Sequence, residues 1–400
     1  MVASPVSLDS PAALSASERQ RYARHLSLAE IGESGQARLR AARVLVVGAG
    51  GLGCPAALYL AAAGVGTIGL VDFDRVEESN LQRQVLFTNE DIGQLKAERA
   101  CARLAALNPQ VKAIAHPFEL CAANVRETFA PYDLIVDGSD RIGTRYLVND
   151  ACVLFGKPLV SAAIHRFEGQ AMSYVPGRGP CYRCLFPQIA EGTLPSCAQA
   201  GVLGVLPGVL GSLQATEAIK LLLDIGAPLL GRVLVYDGLS MRFDEFRIAR
   251  RPECAVCGDQ PSIHAPQDPP GFCTIEEQRR VPRILPEELA RALARAPGSL
   301  RLIDVREPEE FARAHLPGAI NVPLPRIEQD GFCPPGEGLA SSDGAARADR
   351  PADRLVFICR SGARSLRACA LVRRNAGREV LQLEGGLLAW REAIDPTLAL

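Results

Sequence analysis

The chain has 400 residues, 48% of them apolar and 22% charged, with a formal net charge of −1. That length allows two or three globular domains, and the near-zero charge excludes a chain held broadly against nucleic acid or an anionic membrane. The N-terminal MVASPVSLDSPAALSASERQ lacks a basic start and a continuous apolar core. It reads as a frayed tail over residues 1–16 rather than a secretory signal, and the protein as cytoplasmic.

Arg21, Tyr22, Arg24 and His25 then open an ordinary polar helix. Val44–Val47 is a short apolar, β-branched run, as a buried parallel strand requires. Gly48, Gly50 and Gly53 follow as G-x-G-x-x-G, before an Ala/Leu-rich helix. Such glycines let the backbone turn tightly and approach a phosphate at the helix N-terminus. Asp72 closes the next strand, where a ribose-binding acid belongs. The uncharged stretch Val44–Val71 could pass for a membrane span, but its glycines and Pro55 fit strand–turn–helix–strand. Ala198–Ala215 is interrupted in the same way.

Asp72 and Asp74 are followed by Ser79, Asn80, Leu81, Gln82 and Arg83. Carboxylates, amides and a guanidinium beside a phosphate turn suit an enzyme handling a triphosphate; hydride transfer has no evident need of them. Arg83 can meet a phosphate through two donors. Lys96, on the next helix, is a second phosphate candidate, and Asp140 in DGSDRIGTRYLVND a magnesium ligand. A single Lys or Arg on a helix is more often a solvated surface charge. Here the nearby phosphate turn weighs against that.

Strand candidates alternate with helices: Val44–Val47, Ile68–Phe73, Val111–Phe118, Asp133–Asp137, Pro158–Ala162 and Val233–Tyr236. This predicts an α/β, Rossmann-like domain over residues 17–258, with a mostly parallel sheet covered on both faces. Of thirteen cysteines, those in Ala/Leu-rich helices, such as Cys54, Cys101 and Cys152, read as small buried hydrophobes. Cys181/Cys184 and Cys254/Cys257 form two C-x-x-C pairs, which suit a structural tetrahedral zinc; two unrelated reduced pairs or a redox pair are the alternatives. Cys197, in TLPSCAQAGVLGVLPG, is either inert or a mobile thiol able to reach a reaction centre.

A Pro-rich linker is expected over 259–283, then a smaller α/β domain over 284–400. Cys359 ends the apolar strand LVFIC and opens the loop CRSGARS before a helix. Ringed backbone N–H groups, the helix N-terminus, Arg360 and Arg364 all favour an anion, and so a thiolate or a persulfide. Phosphatases use similar loops, one residue longer between Cys and Arg. Residues 329–354, rich in Gly, Pro, Asp and Ala, read as a surface insertion.

Together RYARH, GAGGLG, DFDRVEESNLQRQ, Lys96, the Asp140 region, FEGQ and the two C-x-x-C pairs resemble the E1-like activating enzymes of the MoeB/ThiF/HesA type. LIDVREPEEF, HLPGAINVP, CRSGARS and LEGGLLAW resemble a rhodanese domain. The combination is similar to MoeZ-type proteins and their eukaryotic counterparts. The resemblance implies ATP-dependent adenylylation of the C-terminal glycine of a small ubiquitin-like sulfur carrier ending in Gly-Gly, then sulfur transfer to give its thiocarboxylate. It implies ATP, Mg2+ and Zn2+, a cysteine desulfurase or thiosulfate as sulfur donor, and a homodimer. Gly51, Asp72, Ser79–Arg83 and Lys96 match nucleotide-binding positions. Asp140 matches the magnesium ligand, and Arg24 an arginine reaching ATP from the other subunit. Cys359 matches the persulfide cysteine, and Cys197 a second cysteine that helps release the product. Arg141, a further nucleotide-binding candidate, stands where relatives usually carry Asn, and Ala314 where rhodaneses usually carry Gly. A NAD-dependent oxidoreductase on the same turn, or a zinc-stabilised adaptor without catalysis, is the competing reading. The carrier could serve molybdopterin, thiamine, cysteine or tRNA thiolation.

Overall fold

Strand β1 (Arg43–Val47) shows why the first half of the chain is layered. Val44 and Val46 enter one apolar core, while Leu45 and Val47 enter another on the opposite face. A strand whose two faces are both buried belongs in the middle of a helix-covered parallel sheet. The computed structural model describes residues 13–187, 201–268, 277, 280–296, 298–330, 332, 354–373 and 379–399. They divide into two units, Met1–Pro269 and Pro270–Leu400.

The first unit is built on an eight-stranded sheet, ordered β3-β2-β1-β4-β5-β6-β7-β8. Its strands after β1 are β2 (Thr67–Val71), β3 (Lys112–His116), β4 (Leu134–Asp137), β5 (Leu159–His165), β6 (Glu168–Tyr174), β7 (Arg232–Asp237) and β8 (Arg242–Arg247). From β3 to β5 all pairings are parallel. From β5 to β8 they are antiparallel. The sequence reading missed β6 and β8, so the sheet is parallel only in its first part. The β5–β6 hairpin turns on Arg166 and Phe167, with Arg166 at φ 56°.

The chain runs from β1 to β2 and β3 on one side, then crosses to β4 on the other. The carboxyl ends of β1 and β4 therefore flank the crevice where such sheets bind ligands. Helices Gly53–Ala62 and Leu206–Leu223 supply one face, and Val125–Phe129 and Ile142–Phe155 the other. Among the described residues no helix is long and apolar enough to cross a membrane. Within the Pro-rich stretch, the N–H groups of Ser262 and Ile263 donate to the Ala255 carbonyl, and the Ala122 N–H donates to the Asp268 carboxylate. Its first residues thus run against the first unit.

The second unit has five strands, all paired in parallel: β9 (Arg283–Ile284), β10 (Leu300–Asp304), β11 (Ile320–Asn321), β12 (Arg354–Ile358) and β13 (Val380–Leu383), in the order β11-β10-β12-β13-β9. Leu355 and Phe357 of β12 feed one core, and Val356 and Ile358 the other. Most of the expected insertion at 329–354 lies outside the described residues.

Candidate active site

The glycine turn after β1 is fixed by close approach. A Cβ on Gly53 would sit 1.8 Å from the Gly48 carbonyl oxygen, and Gly48 itself has φ +90°. Gly50 has open space where a side chain would project. The turn leads into the Gly53–Ala62 helix, whose N-terminus favours an anion. Gly48, Gly50 and Gly51 line a cleft open to solvent.

Asp72 forms one wall. Its carboxylate accepts the Ala49 N–H and the Asp74 N–H, each at 2.8 Å. Burial pushes its pKa up to about 6, although the Lys96 ammonium opposes the shift. Lys96 is buried, and its Nζ lies 3.2 Å from the Asp74 carboxylate. Arg83 reaches the cleft from the turn after Glu78–Asn80, with Nη1 donating to the Ser79 carbonyl at 3.0 Å. The buried Asn80 accepts the backbone N–H groups of Arg83 and Gln84 through its own carbonyl. Ser79, Asn80, Leu81 and Gln82 therefore build the turn that aims Arg83, and do not themselves line the cleft.

Asp140 lines the opposite wall in a clamped turn. The buried Asp137 carboxylate accepts both the hydroxyl and the N–H of Ser139, at 2.6 and 3.0 Å. Arg145 donates twice to the Ser139 carbonyl, at 3.2 and 3.1 Å. Burial raises the Asp137 pKa above the ordinary carboxylate value. Arg141 also lines the cleft, but it is engaged. Its Nη1 lies 2.7 Å from the Glu119 carboxylate and its guanidinium 4.9 Å from the Phe73 ring centre. Sequence reasoning missed Glu119, Ser139 and Arg145, which line the same cleft. The D-G-S turn and the i, i+4 spacing of Arg141 and Arg145 were the available signals.

Arg24 is exposed on the helix Ala23–Leu26 and lies outside this cleft. Its neighbours are structural. The buried Tyr22 hydroxyl accepts from Asn108, and His25 pairs with Gln36. Cys197 falls outside the described residues.

The sulfur atoms of Cys181, Cys184, Cys254 and Cys257 lie within 4.8 Å of one another. Two pairs across the knuckles are 3.7 and 3.4 Å apart. A tetrahedral zinc with bonds of about 2.3 Å separates its sulfurs by about 3.8 Å, so the cluster can hold zinc. Hydrogen bonding from Cys181 pulls the Cys257 thiol below its ordinary value, while that bond and burial push Cys181 up. Arg183, between the first two cysteines, makes a two-pronged bond to the buried Asp150, at 2.7 and 2.8 Å, which fixes the first knuckle.

In the second unit Cys359 is buried at the end of β12. Its Sγ accepts the Gly362 and Ser365 N–H groups at 3.2 and 3.3 Å. The Gly385-Gly386 turn closes over the loop, with the Leu387 and Leu388 N–H groups donating to the Cys359 and Arg360 carbonyls at 2.9 Å. A Cβ on Gly386 would strike the Cys359 carbonyl oxygen at 2.4 Å. Arg360 is exposed. Arg364, expected to favour an anion, is instead matched by Glu310 through two bonds of 2.5 and 2.8 Å. Below the loop the buried Arg306 chelates Asp304 and also reaches the Ala314 carbonyl.

Comparison with known proteins identifies the families of both units. Residues 22–256 match the ThiF family, and residues 285–393 match the rhodanese-like domain. The chain is 42% identical over 407 residues to a probable adenylyltransferase/sulfurtransferase MoeZ of Mycobacterium tuberculosis, covering 99% of this chain and 98% of that one. It is 54% identical over 264 residues to a sulfur carrier protein adenylyltransferase of Thermus thermophilus, covering 64% of this chain and 97% of that one. The crystal structure of E. coli MccB with ATP superposes with TM-score 0.53 at 25% identity, covering 59% of this chain and 74% of that one. The chain therefore belongs to the ThiF family, among the adenylyltransferase/sulfurtransferases that carry a C-terminal rhodanese-like domain.

Proposed function

We propose that the cleft of the first unit binds ATP and transfers AMP to the C-terminal glycine of a small ubiquitin-like sulfur carrier of the MoaD/ThiS class, ending in Gly-Gly. The observation that carries this reading is the gathering of Gly48–Gly51, Asp72, Arg83, Lys96 and Asp140 around one cleft. Asp72 accepts the ribose hydroxyls, and the turn amides and helix N-terminus take phosphate oxygens. Lys96 leaves Asp74 for a phosphate, and Arg83 neutralises a second one. The carrier carboxylate attacks the α-phosphorus. The bond to the β-phosphate oxygen breaks, and pyrophosphate leaves with its electron pair. Catalysis here is mainly orientation and charge neutralisation. Asp140 is the residue that would hold Mg2+, whose chemistry is to neutralise charge on the phosphates. The exposed Arg24 fits a homodimer in which Arg24 of one copy serves the cleft of the other.

In the second unit Cys359 accepts sulfur as a persulfide. The outer sulfur attacks the acyl carbon and AMP leaves, giving an acyl disulfide on Cys359. The Cys197 thiolate then attacks Cys359 Sγ and expels the carrier thiocarboxylate, and a dithiol reductant reopens the resulting disulfide. Buried backbone donors around Sγ support an anionic sulfur at this loop. Exchange of labelled pyrophosphate into ATP tests the first step. It should require the carrier and disappear when the carrier lacks its terminal glycine. Exchange without any carrier, or tight NAD binding without ATP binding, would overturn the reading.

A further inference from the structure

The Cys359 loop carries two arginines, yet only one of them offers uncompensated charge. Arg364 is the second residue of the helix Ala363–Arg373, and its guanidinium forks onto the Glu310 carboxylate at 2.5 and 2.8 Å. Glu310 is held in place for this. Its carboxylate also accepts the Glu307 N–H at 3.3 Å. The Arg364 hydrogen bond keeps the Glu310 carboxyl below its ordinary range. Arg306, the other nearby cation, is buried against Asp304. Among the described residues, Arg360 is the arginine of this loop with no carboxylate partner, and it is exposed.

Sulfur reaches Cys359 by nucleophilic displacement. The thiolate attacks the outer sulfur of the donor, a Cys359 S–S bond forms, and the old bond to that sulfur breaks. A thiol persulfide leaves as a thiolate, whereas thiosulfate leaves as sulfite. Thiosulfate brings two negative charges to a thiolate, and a persulfide brings at most one. A planar guanidinium is well suited to sulfonate oxygens, which it binds through two donors, but here that fork is occupied.

We propose that Glu310 sets the donor specificity of the Cys359 loop by neutralising Arg364, so that the loop takes sulfur from a thiol persulfide in preference to thiosulfate. This rests on the reading of Cys359 as the sulfur-accepting residue. The pair is about one-third exposed on each side, so its loss leaves the unit folded.

The test uses the full chain with cyanide as sulfur acceptor and either thiosulfate or cysteine persulfide as donor. In E310Q, kcat/KM for thiosulfate should rise about tenfold, the effect of freeing one cation near a dianion, and that for the persulfide should change less than about threefold. The double variant E310Q/R364A should lose the gain, and thermal midpoints should stay within a few degrees of the parent. An unchanged or lowered thiosulfate rate in folded E310Q, or a gain that survives in the double variant, would overturn the proposal. C359A assayed beside them separates the two claims. If C359A still transfers sulfur from both donors, the role of Cys359 fails whatever E310Q does.

Discussion

The Lys96 ammonium is buried 3.2 Å from the Asp74 carboxylate, at the edge of the cleft that Gly48–Gly51 open. A buried cation with a partly exposed partner can exchange that partner for a stronger one. ATP phosphate is such a partner, since charge-assisted contacts to phosphate exceed a half-solvated ion pair. Lys96→Met should therefore leave the fold intact and weaken ATP binding by at least about tenfold, roughly 1.4 kcal/mol, read by calorimetry. Unchanged ATP affinity would remove Lys96 from the site.

Asp72 adds a pH dependence whose sign follows from its shift. Burial raises its pKa from 3.8 to about 6. Between those values the native state holds a proton that the unfolded chain has lost. This group's contribution to stability therefore falls as pH rises through that window. Ribose hydroxyls need the ionised acceptor, so ATP affinity should fall as pH drops through about 6. ATP's terminal phosphate titrates nearby, so the comparison is with Asp72→Asn, which should bind weakly and lose this part of the pH dependence. Parallel pH profiles for the two proteins would contradict the assignment.

The four-cysteine cluster predicts one zinc per chain, bound as thiolates. A closed set of four sulfurs leaves no open coordination position, so its loss should cost stability first. Chelation, or Cys254→Ala, should lower the thermal midpoint by roughly 10 °C, with activity lost only as the fold is lost. A metal-free protein with an unchanged midpoint would contradict this.

How much of this was legible in the sequence depended on how local each feature is. The glycine turn, both cysteine pairs and the Cys359 loop are contiguous or regularly spaced, so their chemistry could be read directly. Strand β8 was not, because RFDEFR has no clean two-residue alternation and sits at the sheet edge, with Phe243 and Phe246 exposed. Strand β6, EGQAMSY, was hidden by its polar residues. Arg141 was read as a nucleotide-binding candidate standing where relatives usually carry Asn, without the ion pair that engages it. Its partner Glu119 lies 22 residues away, and only the fold brings them together. The pairing of Glu310 with Arg364, 54 residues apart, was equally invisible.

The buried Arg306–Asp304 pair should matter for folding rather than chemistry. Both side chains are almost fully buried, with a shortest contact of 2.7 Å. Arg306→Ala would strand a buried carboxylate, which costs about 3–5 kcal/mol. Denaturant unfolding should show the second unit lost at lower denaturant, with pyrophosphate exchange by the first unit retained. An unchanged second transition would mean that the pair is dispensable.

The central claim is that the first unit activates a carrier carboxylate and Cys359 delivers sulfur to it. Its most direct test is the mass of the carrier after incubation with ATP, a persulfide donor and either the parent or C359A protein. The account predicts carrier thiocarboxylate with the parent, and with C359A only carrier adenylate and its hydrolysis product. Normal thiocarboxylate formation by C359A would contradict it.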